Sequence, residues 1–541
     1  MTNLDIAQAA RLRPIEEIAG SAGLGKDDYD PLGRYKAKLT YSAMNRLAAK
    51  KRGRLVLVTA VTPTPAGEGK TTMTIGLTQA LNKIGKTAVS ATREPALGPV
   101  FGVKGGAAGG GYSQVLPMED INLFFNGDMS AIAAAHNLCS AMLDAHVHNG
   151  NTLDVDVRMP VWPRTVDMND RALRNIVVGL GGRNNGYAHE DGFVVTPASE
   201  VMAVLCLSKD ITDLKERLGK IIVAVDKENA PITAKDIKAP GAMAALLRDA
   251  IRPNLVQTIE GAPALIHGGP FGNIAHGCSS IIATSCALGM ADFAVTEAGF
   301  ASDLGAEKFM HIKVPHLGKS PDVVVLVATV RALKHHGDGD LAQGTANLER
   351  HIRHLKQYGV PIVVAVNRFT DDAQDELDHV VDFAKEFGAD AVVADPWNSG
   401  GEGCTNLASL VAQAPRSQFS PIYAEDDPFE TKLQKIVVNV YGGDGFELSR
   451  AAKRRLKWVR QHGFDQLPVC IAKTQASLSD DRRKKNAPTG FTIEVDEIRP
   501  SAGAGFLVVV CGDMLLMPGL GKTPAAFNID VDKNGVISGL V

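Results

Sequence analysis

The chain has 541 residues, a length that ordinarily holds roughly three or four domains, and its formal net charge of −3 provides no global basic field for nucleic acid. Aromatic residues make up only 5% and glycines number 54, which suits an α/β protein with many tight turns; no apolar run reaches the ~18 residues that suggest a membrane span. The seven cysteines are odd in number and lack CxxC spacing, so they read as reduced cytosolic thiols rather than a disulfide frame or a zinc site.

Residues 1–53 read as a helical lead-in, with one helix opening at Pro14 and another over Leu39 to Lys51. Asp5, Arg11, Arg13, Glu16 and Glu17 interrupt residues 1–20, so no secretory signal is expected and a cytoplasmic location is. Leu55 to Val61 is a β-branched run expected of a buried parallel strand. A turn with Pro63, Pro65, Gly67 and Gly69 follows, then Lys70-Thr71. Met73, Leu77, Ala80, Leu81 and Ile84 then fall at helical spacing. Strand, glycine turn, Gly-Lys-Thr and helix is the layout of a phosphate-binding loop. Thr64, Pro65, Ala66, Gly67, Glu68, Gly69, Lys70 and Thr71 are therefore the expected ATP-binding stretch. Lysine would reach the terminal phosphates, and the Thr71 hydroxyl could hold Mg²⁺. The general pattern begins with glycine six residues before the lysine, where this chain has Thr64.

Thr87 to Ala91 reads as a second strand, running into residues 92–128. Arg93 and Glu94 stand at that strand's carboxyl end, where open α/β sheets bind ligands. Gly105, Gly106, Gly109, Gly110 and Gly111 follow Lys104, a composition that marks close backbone approach to a ligand or else a lid without contacts. Among the acids Glu119, Asp120 and Asp128, one could hold Mg²⁺; solvated loop carboxylates are the alternative, and Asp128 is the candidate.

From His136 to about Val256 the pattern implies a smaller inserted α/β unit: a half-exposed strand over Leu153 to Val157, a helix over Arg171 to Val178, and strands at 192–196 and 221–225 flanking a helix at 199–207. His267 and His276 lie in a strand-to-turn segment, with structural hydrogen bonding favoured over catalysis. Strands are expected at 291–296, 323–330, 360–366 and 391–394. His335, His336, Asp338 and Asp340 fit no ligand spacing and read as a polar loop. Phe369 and Trp397 each lie three residues past a strand, where they could stack a flat ring or cap the core. From Thr431 a third unit follows, with a basic helix and strands at 492–495 and 506–511.

The fold expected is therefore α/β: a P-loop NTPase-like, doubly wound, mostly parallel sheet from 1–140 and 257–430. An α/β domain is inserted at 141–256 and an α+β domain closes the chain at 431–541.

Seven segments together resemble formate–tetrahydrofolate ligase, also called formyltetrahydrofolate synthetase, in its monofunctional form. They are TPTPAGEGKTT (62–72), REPALGPVFGVKGGAAGGGYSQVLPMEDINL (93–123), ALIHGGPFGNIAHGC (264–278), EAGFASDLGAEKF (297–309), VNRF (366–369), WNSGGEG (397–403) and AKTQASLSDD (472–481). Departures are small: Ala476, Gly521 and Asn398-Ser399 differ from residues common in the family. The resemblance implies ATP-dependent ligation of formate to tetrahydrofolate through formyl phosphate, with Mg²⁺, activation by K⁺ or NH₄⁺, and a homotetramer. It implies Lys70 on the phosphates, and Arg93, Glu94, Lys104, Gly105 and Gly106 about the formyl phosphate. It puts Phe300, Phe369 and Trp397 beside the folate and adenine rings. Two readings without folate stay open beside it: another phosphate-loop ligase or kinase for a small carboxylate, and a nucleotide-switched partner protein.

Overall fold

The computed structural model describes residues 1–50, 53–102, 108–159 and 161–540. Lys104, Gly105 and Gly106 of the glycine run lie outside the described residues.

A mixed, mainly parallel sheet forms the centre. Its strands in chain order are β1 (Tyr29–Pro31), β2 (Ala37–Leu39), β3 (Arg54–Ala60), β4 (Ala88–Thr92), β5 (Gly109–Gly110), β6 (Ser113–Leu116), β7 (Asn254–Thr258), β8 (Pro263–Ile266), β9 (Phe293–Glu297), β10 (Val323–Ala328), β11 (Ile362–Asn367) and β12 (Asp390–Ala394). The spatial order is β1-β2-β7-β8-β4-β9-β3-β10-β11-β12. From β8 to β12 every pairing is parallel, so these strands send their carboxyl ends to one edge. The β1, β2, β6 and β7 pairings are antiparallel.

Both faces of this sheet are covered, which is why its strands read as unbroken apolar runs. Leu55, Leu57, Val324, Leu326 and Val364 join a core with Ile282, Leu348 and Ile352. Their alternate neighbours Val56, Val58, Val323, Val325 and Val363 join another with Met73, Leu77, Leu407 and Val411. A separate core, with Phe429, Leu433, Trp458, Ile493 and Val509, holds the C-terminal segment.

Several local expectations change. Residues 1–53 carry the edge strands β1 and β2 as well as helices, and the helix expected from Leu39 opens at Tyr41 behind the Thr40 cap. The alternating Leu153–Val157 stretch is no strand: the Asn151 side chain takes both the N–H and the carbonyl of Val155, leaving an isolated bridge to Asp226. The helix expected over Arg171–Val178 is a short 3₁₀ turn (Arg171–Leu173) and a strand (Ile176–Val178) paired with His189–Asp191. There the β-branched Ile-Val-Val outweighs the helical spacing. The other small sheets belong to residues 164–233 and to the C-terminal segment.

Candidate active site

Strand β3 lies between β9 and β10, and the chain leaves it into the glycine turn at the carboxyl edge. Gly67 (φ +77°) and Gly69 (φ +76°) take the left-handed conformation that only glycine adopts without strain. The helix Lys70–Lys83 starts directly behind Gly69. Its first turn thus faces the loop with the backbone N–H groups that have no acceptor within the helix and with the positive end of the helix dipole. Glu68 ties the loop down from below. Its buried carboxylate accepts from the Thr64 N–H (2.7 Å) and hydroxyl (2.9 Å) and from the Thr329 hydroxyl (2.5 Å). Asn367, at the end of β11, donates to the Glu68 carbonyl at 3.1 Å. The Thr64 that stands in place of glycine is therefore a hydrogen-bonded loop member.

The Thr71 hydroxyl donates to both oxygens of Glu297, at 2.9 and 3.1 Å. Glu297 is buried at the carboxyl end of β9, the strand beside β3. A hydroxyl and a carboxylate at a helix N-terminus form the hard-oxygen donor set that Mg²⁺ uses with nucleotide phosphates. Asp128 keeps other company. It is ion-paired to buried Lys38 at 2.8 Å and accepts from Asn254 at 2.8 Å, whereas Thr71 meets Glu297. Glu94 is buried, with one carboxylate oxygen lacking a partner; burial, then the nearby Asp128 charge, raises its pKa well above the usual carboxylate range.

Arg93 extends from the end of β4. One guanidinium nitrogen donates to the Pro270 carbonyl at 3.3 Å, and its buried Nε has no partner. Gly299 leaves room beside it: a Cβ there would lie 3.2 Å from Nη1. His276 nearby is fully buried with neither ring nitrogen bonded. Burial, then Lys313, His316, Arg93 and Lys308, push its pKa well below the ordinary value. His276, kept neutral, adds no charge of its own to the positive field of Arg93, Lys308 and Lys313 around it. His267, by contrast, is satisfied by Ser280 (2.6 Å) and the Ala250 carbonyl (2.7 Å), a structural role.

The aromatic residues divide. Phe369 is half-buried, with the Arg331 guanidinium 4.4 Å from its ring centroid. Arg331 also donates to the Gly67 carbonyl, so that ring is tied to the phosphate loop. Trp397 is 39% exposed. Its carbonyl accepts from the Tyr112 N–H at 2.9 Å, and its indole N–H donates to Asn3 at 3.2 Å. Gly111 (φ +57°) passes so close that a Cβ would sit 2.1 Å from the Trp397 carbonyl oxygen. Phe300 holds a left-handed φ of +59°, unusual for a bulky side chain, three residues past β9. A cavity of about 1220 Å³ is lined by Arg217, His311, His316, Tyr423 and Phe464 among others, and by none of Thr64–Thr71, Arg93, Glu297, Phe300, Phe369 and Trp397.

The family model for formate–tetrahydrofolate ligase matches residues 1–541. The chain belongs to the formate–tetrahydrofolate ligase family. Ligases of this family use ATP to form 10-formyltetrahydrofolate from formate and tetrahydrofolate, so ATP with Mg²⁺ and tetrahydrofolate are the small molecules to be housed. Among solved structures, the cytosolic domain of the T. maritima FeoB iron transporter in apo form is 16% identical. The match covers 34% of this chain and 58% of that one, with a TM-score of 0.16, too low to bear on fold or function.

For a formate–tetrahydrofolate ligase, the structure gathers Thr64–Thr71 and Phe369 about one loop and places Arg93 by Gly299, next to Phe300. Trp397 instead lies on the glycine segment. Glu297 and Arg331 are site candidates that reading the sequence missed. Glu297 opens EAGFASDLGAEKF directly after a strand, a position that could have flagged it; Arg331 has no signal of its own in the sequence. His335 and His336, expected in a polar loop, instead close the helix Val330–His336, and His336 is buried against the Thr62 carbonyl; among the described residues no group of three or more His, Cys, Asp and Glu could hold a metal.

Proposed function

We infer that residues Thr64–Thr71 cradle the triphosphate of ATP on a P-loop NTPase-like, doubly wound sheet, and that Arg93 clamps formate and then formyl phosphate. The observation that carries this is the pair Thr71–Glu297 at the start of the Lys70–Lys83 helix, one strand away from Arg93. Mg²⁺, when bound, would be held by Thr71 and Glu297 and would neutralise charge on the phosphate oxygens.

Formate is already an anionic nucleophile at neutral pH, so the first step needs no general base. It needs two repelling anions held in line. A formate oxygen attacks the γ-phosphorus, the bond to the ADP oxygen breaks, and Lys70 and the loop N–H groups stabilise the charge that develops. The free Nε–H of Arg93 and its guanidinium fork suit both the carboxylate and the phosphoryl group. The folate amine then attacks the formyl carbon, the carbon–oxygen bond to phosphate breaks, and the amine proton leaves to solvent. Phe300, Phe369 and Trp397 supply flat faces for the pterin and adenine rings. Glu94, Lys104, Gly105 and Gly106 complete the formyl phosphate surroundings by resemblance.

The same resemblance carries K⁺ or NH₄⁺ as activator. The Lys38 ammonium already pairs with Asp128 beside the buried Glu94 carboxyl, so these two acids are not assigned to that cation. We further propose a homotetramer in the cytoplasm, with no nucleic-acid partner. All seven cysteines are buried as free thiols, and among the described residues no helix is long and apolar enough to cross a membrane. Three domains are proposed. The helix Asp128–His148 and strand β7 run across the expected limits at 140 and 256, so the inserted unit is better drawn inside them, after His148 and before Asn254.

The test is ADP release with formate and tetrahydrofolate added singly and together. Full turnover needs both; ADP release indifferent to formate would remove this assignment.

A further inference from the structure

Behind the phosphate loop lies a buried polar cluster that the reaction as described does not use: Thr62, Ser302, His336, Asn347, His351 and His354 are all at most 2% exposed. Thr62 opens the loop; Ser302 stands two residues past Phe300, at the start of the π-helical turn Ser302–Ala306. His351 bridges them. Its Nε2 is 2.9 Å from both the Thr62 N–H and hydroxyl, and its Nδ1 is 2.7 Å from the Ser302 hydroxyl.

Backbone groups set the direction of these bonds. The Thr62 N–H can only donate, so Nε2 of His351 is the acceptor and Nδ1 carries the proton. Nδ1–H then donates to Ser302. The Ser302 hydroxyl is left to donate to His354 Nδ1 at 3.1 Å, and His354 Nε2–H faces the Tyr358 hydroxyl at 3.4 Å. A second arm runs beside it. His336 Nε2 donates to the Thr62 carbonyl at 3.0 Å, while its Nδ1 accepts from the Asn486 N–H at 3.2 Å. Asn347 donates to both the Thr62 hydroxyl (3.0 Å) and the Asn486 carbonyl (2.8 Å). Burial keeps the His351 and His354 rings neutral, their pKa values lowered to about 3, which this one-way pattern requires.

We propose that His351 is a positioning residue that locks the root of the phosphate loop to the root of the Phe300 turn, so that the nucleotide and folate subsites are set by one hydrogen-bonded unit. The inference rests on the reading of Thr64–Thr71 as the triphosphate site and of Phe300 as a ring contact. In its favour, the chain joins segments 240 residues apart in sequence through groups too buried to exchange partners with water. Phe300 keeps a left-handed backbone that its surroundings must impose, and Ser302 is the nearest anchored side chain after it.

The decisive variant is Ser302→Ala, which lies on the Phe300 side and carries no loop residue. ATP dissociation constants by calorimetry, KM values for ATP and tetrahydrofolate, kcat and melting temperature are measured together. The coupling predicts that Ser302→Ala and His351→Leu weaken ATP binding about five- to ten-fold and raise the folate KM similarly, with saturating kcat within about three-fold of wild type. His351→Gln, whose amide can accept from Thr62 and donate to Ser302, restores both to within about three-fold. Should His351→Leu fail to fold, Ser302→Ala and His351→Gln still carry the test. An unchanged ATP dissociation constant in folded Ser302→Ala overturns the proposal. So does a uniform loss in kcat and all KM values that His351→Gln shares. If Lys70→Ala is inactive while Ser302→Ala binds ATP normally, the relay is wrong and the loop assignment stands.

Discussion

Lys70 and Arg93 separate two kinds of cation. Lys70→Ala is expected to abolish ligation while the protein stays folded, because a positioned ammonium on the transferring phosphoryl group contributes several kcal/mol in such sites. Near-normal turnover in a folded variant would sink the loop assignment. Arg93→Lys keeps the charge but loses the fork, so formate use should fall steeply while ATP affinity holds. Weaker ATP binding with formate use spared would make Arg93 a nucleotide ligand. Glu297→Gln keeps a hydrogen-bond acceptor for Thr71 and removes the charge, so the Mg²⁺ requirement should rise at least ten-fold, read from a metal titration at fixed ATP. The strand, turn and helix that carry Lys70 and Thr71 were legible because Gly-Lys-Thr after an apolar run is a recurrent local pattern. Glu297 was not: it lies 226 residues from Thr71, and only the register of β9 against β3 brings the two together.

At the level of elements, the parallel strands were readable because burial on both faces leaves them uniformly apolar. The antiparallel margin, β1, β2 and β7, was not. Those strands are short, and a strand such as Asn254–Thr258 carries buried Asn254 and Gln257, whose polarity hides it. The two aromatic loops looked equivalent by spacing, and the structure gives them different supports. Phe369 is a platform for Arg331, which reaches the Gly67 carbonyl; Trp397 packs on the glycine segment. The expected outcomes therefore differ. Trp397→Ala should raise the folate requirement about ten-fold, on the order of 1.4 kcal/mol, and leave formyl phosphate formation intact. Phe369→Ala should raise both folate and ATP requirements, because Arg331 loses the ring that holds it. Separate saturation curves decide, with melting temperature alongside. A uniform loss with a large stability drop in both would mark them as core residues instead.

The molecule as a whole buries many neutral imidazoles. Burial holds His136, His267, His316 and His336 down to about 4, His351 and His354 to about 3, and His276 well below its ordinary value. Once unfolded, these rings take protons near pH 6.5. Below that pH the unfolded chain binds more protons, so stability present above 6.5 is lost as pH falls toward 4. Three acids run the other way, with burial the largest cause each time. Glu94 is raised strongly, Asp167 to about 6 and Glu200 to about 7; Glu200 is half-buried as a residue, but its carboxylate is turned in under Gly503 and Ala504. Their contribution is present at low pH and lost as pH rises through those values. The histidines outnumber them, so unfolding near pH 5 should take up about four protons. Calorimetry in buffers of different ionisation enthalpy measures this, and no uptake would mean the rings are charged in the fold.

The central placing of β3 has a kinetic consequence. A strand with a hydrogen-bonded neighbour on each side and a covered face above and below exchanges its amides only when the whole sheet opens, whereas margins such as β1 and β12 fray on their own. The phosphate loop hangs directly from that slowest strand. In deuterium, the amides of Leu55 to Ala60 should label last. A nucleotide anchored there would then ride out transient detachment of the β1 and β12 margins, its release timed by the loop and not by the breathing of the rest of the protein.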